Sequence, residues 1–237
     1  MESAVDSIWG ALVLATLAGA SIPLGAWLGT FHRHIMPDWL EDEARHGVVA
    51  FGAGALLAAV ALVLIPEGSE RLDPFPALLW FFAGGVGFAL IDRVLSKTGG
   101  RLSQFLAMMM DYLPEALALG ALIVGDPGAA LLVAGLIALQ NLPEGFNAMR
   151  EMSQDRPVPL WIFFVMVPLG PLAAFIGVTL PAEQDALIGA VMMLASGGIL
   201  YLMLQDIAPQ VRLDNAMLPP LCGVLGFGLG LAGDLFI

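Results

Sequence analysis

Apolar residues fill long, unbroken stretches of this chain, and polar residues gather in the short gaps between them. Eight stretches stand out, at 8–30, 47–66, 75–91, 102–125, 128–149, 158–180, 186–205 and 216–237. A helix of about 20 residues is ~30 Å long, the thickness of bilayer hydrocarbon, so each stretch predicts a transmembrane helix. A barrel would require apolar and polar residues alternating at period two, and these runs are continuous. The expected fold is therefore an all-α membrane protein of eight transmembrane helices in one domain, residues 1–237.

Composition agrees: 59% of residues are hydrophobic and 13% charged, outside the usual soluble range. Residues 1–7 are acidic and lack a basic leader, so no cleaved signal peptide is expected. When the gaps are numbered alternately, Arg33, Arg45, Arg93, Lys97, Arg101, Arg150, Arg156 and Arg212 fall on one side and Arg71 alone on the other. The positive-inside rule then puts both termini outside the cytoplasm, and a bacterial inner membrane is the expected location. The net charge of −12 excludes a nucleic-acid partner. Much of it lies at 67–73, 183–185 and 38–43, either as solubilised loops or as cation attraction at a pore mouth. The single Cys222 sits in an apolar stretch, where inert packing is expected.

Two stretches break the apolar pattern near their middles. They read Asp111-Tyr112-Leu113-Pro114-Glu115-Ala116 and Gln140-Asn141-Leu142-Pro143-Glu144-Gly145. A carboxylate at bilayer depth costs ~2.5–3.5 kcal/mol, so three cost roughly 8–10 if uncompensated. All nine Lys and Arg residues lie outside the apolar stretches, so the counter-charge must be protons or a bound cation. Asp111 and Glu115, spaced i, i+4, share a helical face, as do Gln140 and Glu144, with Asn141 one position round. On antiparallel neighbours, Asp111 and Glu144 would lie at similar depth, as would Glu115 and Gln140. Two such faces turned together make an oxygen-lined site. Proton-sharing acids on two proline-bent helices are the structural alternative.

A second internal echo links residues 51–57 with 194–200, and a proline follows each shared glycine at equal distance, Gly54 to Pro66 and Gly197 to Pro209. Inverted repeats with helix-breaking prolines point to a transporter with a midplane site. Small-residue packing in any helical bundle is the plainer reading of the glycines alone.

At these residues the chain resembles the Zrt/Irt-like (ZIP) metal transporters, which have eight transmembrane helices and extracytoplasmic ends. The motif at 140–145 is similar to that family's fifth-helix His/Gln-Asn/Asp-x-Pro-Glu-Gly. The motif at 111–116 is a looser version of its fourth-helix His-Asn-x-Pro-Glu-Gly. The likeness extends through 51–67 and 197–210 and so covers nearly the whole chain. It implies alternating access, with helices one, four, five and six moving against two, three, seven and eight, for which the small-residue surfaces 52–55 and 196–198 would suit a sliding contact. It implies a divalent metal ion as cargo, with no prosthetic cofactor, carried toward the cytoplasm. A homodimer is expected by analogy only. Against the family pattern, Asp111 replaces a histidine, Tyr112 an asparagine, Gly170 a glutamate before Pro171, and Ala55 a methionine of some members. Gln205 and Asp206 replace a His/Glu pair and mark the expected exit pathway. Where the family's sites are binuclear, this chain loses two ligands, so one ion is expected, held by Asp111, Glu115, Gln140 and Glu144 with Asn141 as a fifth ligand. Oxygen ligands favour Mn²⁺, while the resemblance favours zinc and iron; Mn²⁺, Fe²⁺ and Zn²⁺ stay open.

Other readings compete. A ZIP-like protein that binds or senses metal without transporting it would share the same residues. Asp111 and Asp234 resemble, poorly, the acids of intramembrane aspartyl proteases, but that enzyme reading leaves the repeated Leu-Pro-Glu unexplained. The histidines His32, His34 and His46 lie in or beside the loop 31–45, either as a metal-receiving cluster or as an ordinary interfacial segment.

Overall fold

The computed structural model describes residues 2–31, 38–98, 101–153, 157–180, 185–211 and 216–236, which are helical apart from short turns and connections, with no strand among them. The helices are α1 (Glu2–Phe31), α2 (Asp38–Ala58), α3 (Ile65–Glu70), α4 (Pro74–Thr98), α5 (Arg101–Leu122), α6 (Pro127–Met152), α7 (Trp161–Phe164), α8 (Leu169–Thr179), α9 (Asp185–Leu202), α10 (Ala208–Val211) and α11 (Leu218–Phe236). Among the described residues seven helical spans are long and apolar enough to cross a membrane. Large apolar side chains such as Phe75, Phe82, Leu172, Val224 and Phe236 stand exposed on them. Water would penalise that surface and lipid does not, so the chain is a multi-pass membrane protein. The fourth predicted stretch is a continuous helix, α5, but is not among the seven.

The helices form two groups. α1 packs most extensively on α6 and α5 on α8, with α1 also against α8 and α5 against α6. In the second group α2 packs on α11 and α4 on α9. The groups meet chiefly where α2 lies against α6 and α5 against α9. Only 17% of the spans Pro74–Leu95 and Leu218–Phe236 is buried, against 67% of Asp185–Gln205, so α4 and α11 form the rim and α9 the interior.

The echo between 51–57 and 194–200 has a structural counterpart. A Cβ on Gly54 would strike the Gly223 carbonyl of α11, and one on Gly226 would strike the carbonyl of Phe51. In the same register, a Cβ on Gly197 would strike the Phe81 carbonyl of α4, and one on Gly84 that of Leu194. Both helix pairs thus close to backbone contact through reciprocal glycines, the small-residue packing expected between membrane helices. The equivalence continues toward the prolines. α2 passes into a π-helical segment, Ala59–Leu64, before Pro66, and α9 into another, Met203–Ile207, before Pro209. Proline has no N–H to donate, and a wider turn on its N-terminal side accommodates the lost bond without ending the helix.

Two expectations need correction. The small-residue surfaces around Gly54 and Gly197 lie inside the second group, not on a contact between groups, because their missing side chains admit α11 and α4. Gly52 is the exception, for it faces Pro143 of α6. The stretch 158–180 is also not one helix: it breaks at 165–168 between α7 and α8, with three-residue turn bonds such as Leu169 N–H to Met166 C=O at 3.1 Å. Pro168 and Pro171 withhold donors where a regular helix would need them.

Candidate functional site

α5 and α6 run through Pro114 and Pro143 as continuous helices, so the spacing within each motif translates directly into a shared face. The turn between them ends at Asp126, whose carboxylate caps α6 by accepting from Ala129 N–H at 2.9 Å. That short connection makes the two helices antiparallel neighbours and sets the depth of each motif against the other.

The side chains meet in two pairs. Gln140 Nε2 donates to Glu115 Oε2, and the carboxyls of Asp111 and Glu144 are hydrogen-bonding partners. These are the pairings expected from depth. They are also equivalent to each other: the register that aligns the two Leu-Pro-Glu segments places Asp111 on Gln140 and Glu115 on Glu144. Two carboxyls in contact require a proton or a cation between them. Glu115 and Gln140 are fully buried, Asp111 and Asn141 nearly so, and Glu144 is half-buried.

Four oxygen atoms in this set are buried without any hydrogen-bond partner: Asp111 Oδ1, Glu115 Oε1, Gln140 Oε1 and Asn141 Oδ1. Orphaned buried acceptors are rare, and each costs about 1–3 kcal/mol. All four are acceptors, so a donor or a cation is what they lack. No arginine or lysine among the described residues pairs with these acids. Arg71 is held by Glu67, whose Oε2 lies 2.5 Å from its Nη1, with Asp185 at 3.9 Å. Arg150 lies over the Phe146 ring, 5.8 Å from its centroid. The set is not a closed cage, for no group of three or more His, Cys, Asp and Glu among the described residues is gathered so as to hold a metal ion. The acids stand as a pair plus one, with amides supplying the other oxygens.

Tyr112 and Gly170, which in the sequence stand out only as lost ligands, are joined in the structure. The Tyr112 phenol is buried, and its hydroxyl donates to the Ala15 carbonyl of α1 at 3.2 Å. A Cβ at Gly170 or at Gly19 would strike that hydroxyl. Asn141 Nδ2 points to the Ala18 carbonyl, one turn further along α1, at 3.4 Å. Two residues that flank the acids therefore tie α1 to α5 and α6. Only long-range packing reveals this, because Ala15, Ala18 and Gly19 carry no distinctive chemistry in the sequence.

The remaining expectations fare unevenly. Gln205 is exposed on the π-helical segment Met203–Ile207, and the side chain of Asp206 lies outside the described residues. His46 is half-buried on α2, while His32 and His34 lie outside the described residues. Asp234 is exposed near the end of α11, and the carboxyl partner of Asp111 is Glu144. Ala55 is fully buried and Cys222 half-buried. No protein-family model matches this chain, and no curated protein matches it.

Proposed function

We propose that this protein is an eight-helix, ZIP-like transporter that carries a divalent transition-metal ion toward the cytoplasm through one oxygen-rich site. The observation that carries the reading is the set of four buried, unpartnered oxygens among three carboxylates and two amides, with no salt bridge to these acids among the described residues. Intramembrane acids without a basic partner mark ion or proton pathways. In this reading α5 crosses the bilayer as the eighth span, the paired contacts of α2 with α11 and α9 with α4 form an inverted repeat, and both termini are extracytoplasmic.

Asp111, Glu115, Gln140 and Glu144 would hold the ion, with Asn141 as a fifth ligand. Carboxylate and amide oxygens suit Mn²⁺, and Fe²⁺ and Zn²⁺ are the other cargoes to test. The ion replaces the proton between Asp111 and Glu144 and draws the Glu115–Gln140 pair inward to complete its coordination. Transport then requires the two helix groups to rearrange about the site, since it lies among α1, α5 and α6 while α2 and α9 cover it from the other group. Uptake of Mn²⁺, Fe²⁺ and Zn²⁺ into proteoliposomes tests this. Saturable flux of at least one ion, lost in Glu144→Gln, is expected. Tight binding without flux would leave a metal-binding or sensing protein, and neither binding nor flux would end the metal reading.

A further inference from the structure

The internal equivalence produces two lateral grooves that the metal site does not use. The first, of about 490 Å³, lies between α4, α5, α8 and α9. The second, of about 780 Å³, lies between α1, α2, α6 and α11. Their linings correspond position by position along α9 and α2. Leu187, Ala190, Val191 and Leu194 line the first, and Ala44, Gly47, Val48 and Phe51 line the second, in the register that aligns Phe51 with Leu194. Each groove is backed by one motif's proline, Pro114 or Pro143.

We infer that each groove holds one phospholipid acyl chain, one from each leaflet. Four observations select that occupant. The linings are apolar but for Ser21, whose Oγ is already committed to the Ala18 carbonyl at 2.6 Å. The lips of the grooves, among them Trp80, Leu172, Ile176, Leu24 and Leu218, are exposed and continuous with the membrane-facing surface. The grooves lie toward opposite faces of the membrane. Leu187 and Trp80 are near the starts of α9 and α4, beside Arg71, whereas Ala44 and Leu218 are near the starts of α2 and α11, and α2 reaches Arg71 only through its opposite end and α3. The stretches 187–194 and 44–51 each rise about 10 Å, within the ~15 Å depth of one leaflet's hydrocarbon. An acyl chain gains dispersion contacts there that an empty groove would forfeit. Both grooves have walls from the two helix groups, so lipid filling is coupled to any motion between them.

Native mass spectrometry of protein released from membranes into mild detergent tests this. Two retained phospholipids per chain are expected. Val191→Phe fills the first groove and Gly135→Phe the second, where a Cβ on Gly135 meets nothing within 4 Å. Each single variant should retain one lipid and the double variant none. Equal lipid counts in all four proteins, or a two-chain species without lipid, would overturn the inference. Position is tested separately, using the equivalent residues Trp80 and Cys222 as reporters. In a chain whose other four tryptophans are Phe, quenching of Trp80 by acyl-brominated phospholipid should persist after transfer to lipid-free detergent. It should decay at least tenfold faster in Val191→Phe, and the same holds for a bimane on Cys222 with Gly135→Phe. Decay as fast as at a lone Trp161, which lines neither groove, would show only bulk lipid and end the proposal.

Discussion

Glu144 and Asp111 share one contact but not one role. Glu144 has contacts with Asp111 and only partial burial, so in the proposed transport cycle it would be the acid that admits or releases the ion. Replacing it with Gln removes a charge from a cation in a low-dielectric site. Losses on truncating buried charge partners run about 2–5 kcal/mol, so cation binding should weaken roughly 30- to 4,000-fold, measured by isothermal titration. Asp111→His exchanges an oxygen ligand for imidazole. The ratio of Zn²⁺ to Mn²⁺ binding constants should rise, and an unchanged ratio would place Asp111 outside the coordination sphere. Gly170 and Tyr112 form a steric pair. Gly170→Ala should destabilise the protein, and adding Tyr112→Phe should restore part of the loss by removing the struck hydroxyl. A double-mutant cycle in detergent unfolding should show coupling of about 1 kcal/mol; strict additivity would mean that the two do not touch in the membrane.

At the scale of helices, the reciprocal glycine contacts are the most demanding feature. The atoms that a Cβ on Gly54 would strike are backbone atoms of α11, the Gly223 carbonyl and the Phe227 amide, which cannot rotate away. Gly54→Ala should therefore cost about 1–3 kcal/mol by forcing α2 and α11 apart. Gly228→Ala, on α11 with nothing within 4 Å of the added carbon, is the matched control. It should be neutral or slightly stabilising, as Ala is the better helix former. Equal effects in a thermal-unfolding comparison would mean that α2 and α11 are not packed at this register. The two π-helical segments were not legible in the sequence as such. Pro66 and Pro209 announced a disturbance in each helix, but a bend, a stop and a π segment all satisfy a missing N–H.

For the molecule as a whole, charge balance would limit the load of the proposed transporter. Two divalent ions would set +4 against the three carboxylates of Asp111, Glu115 and Glu144, and low dielectric penalises the excess. One ion leaves a single negative charge, which one proton neutralises. Titration should saturate at one ion per chain. Protons compete for the same oxygens, so affinity should fall as pH falls. Two tight ions, or affinity that rises on acidification, would show that the ligands are misassigned. The contact between Tyr112 and Gly170 agrees with a small load, since a Cβ at position 170 would strike the Tyr112 hydroxyl and no larger side chain fits there.

The helical class, the membrane setting, the residues of the polar site and their pairing by depth are all readable from the order of residues. Each follows from local rules: continuous apolar length, i, i+4 spacing, and two antiparallel helices joined by a short turn. The register between 51–57 and 194–200 is readable there too, since glycine positions survive in that order. Which helices face one another through that register emerges only on packing, because Gly54 and Gly197 carry no label naming α11 or α4 as partner. The same holds for the break at 165–168, the Tyr112 hydroxyl between Gly19 and Gly170, and the four oxygens left without partners. Those are properties of space shared between distant segments. Such space is set by how closely backbones approach, a quantity that apolar helices of similar composition leave open until they pack.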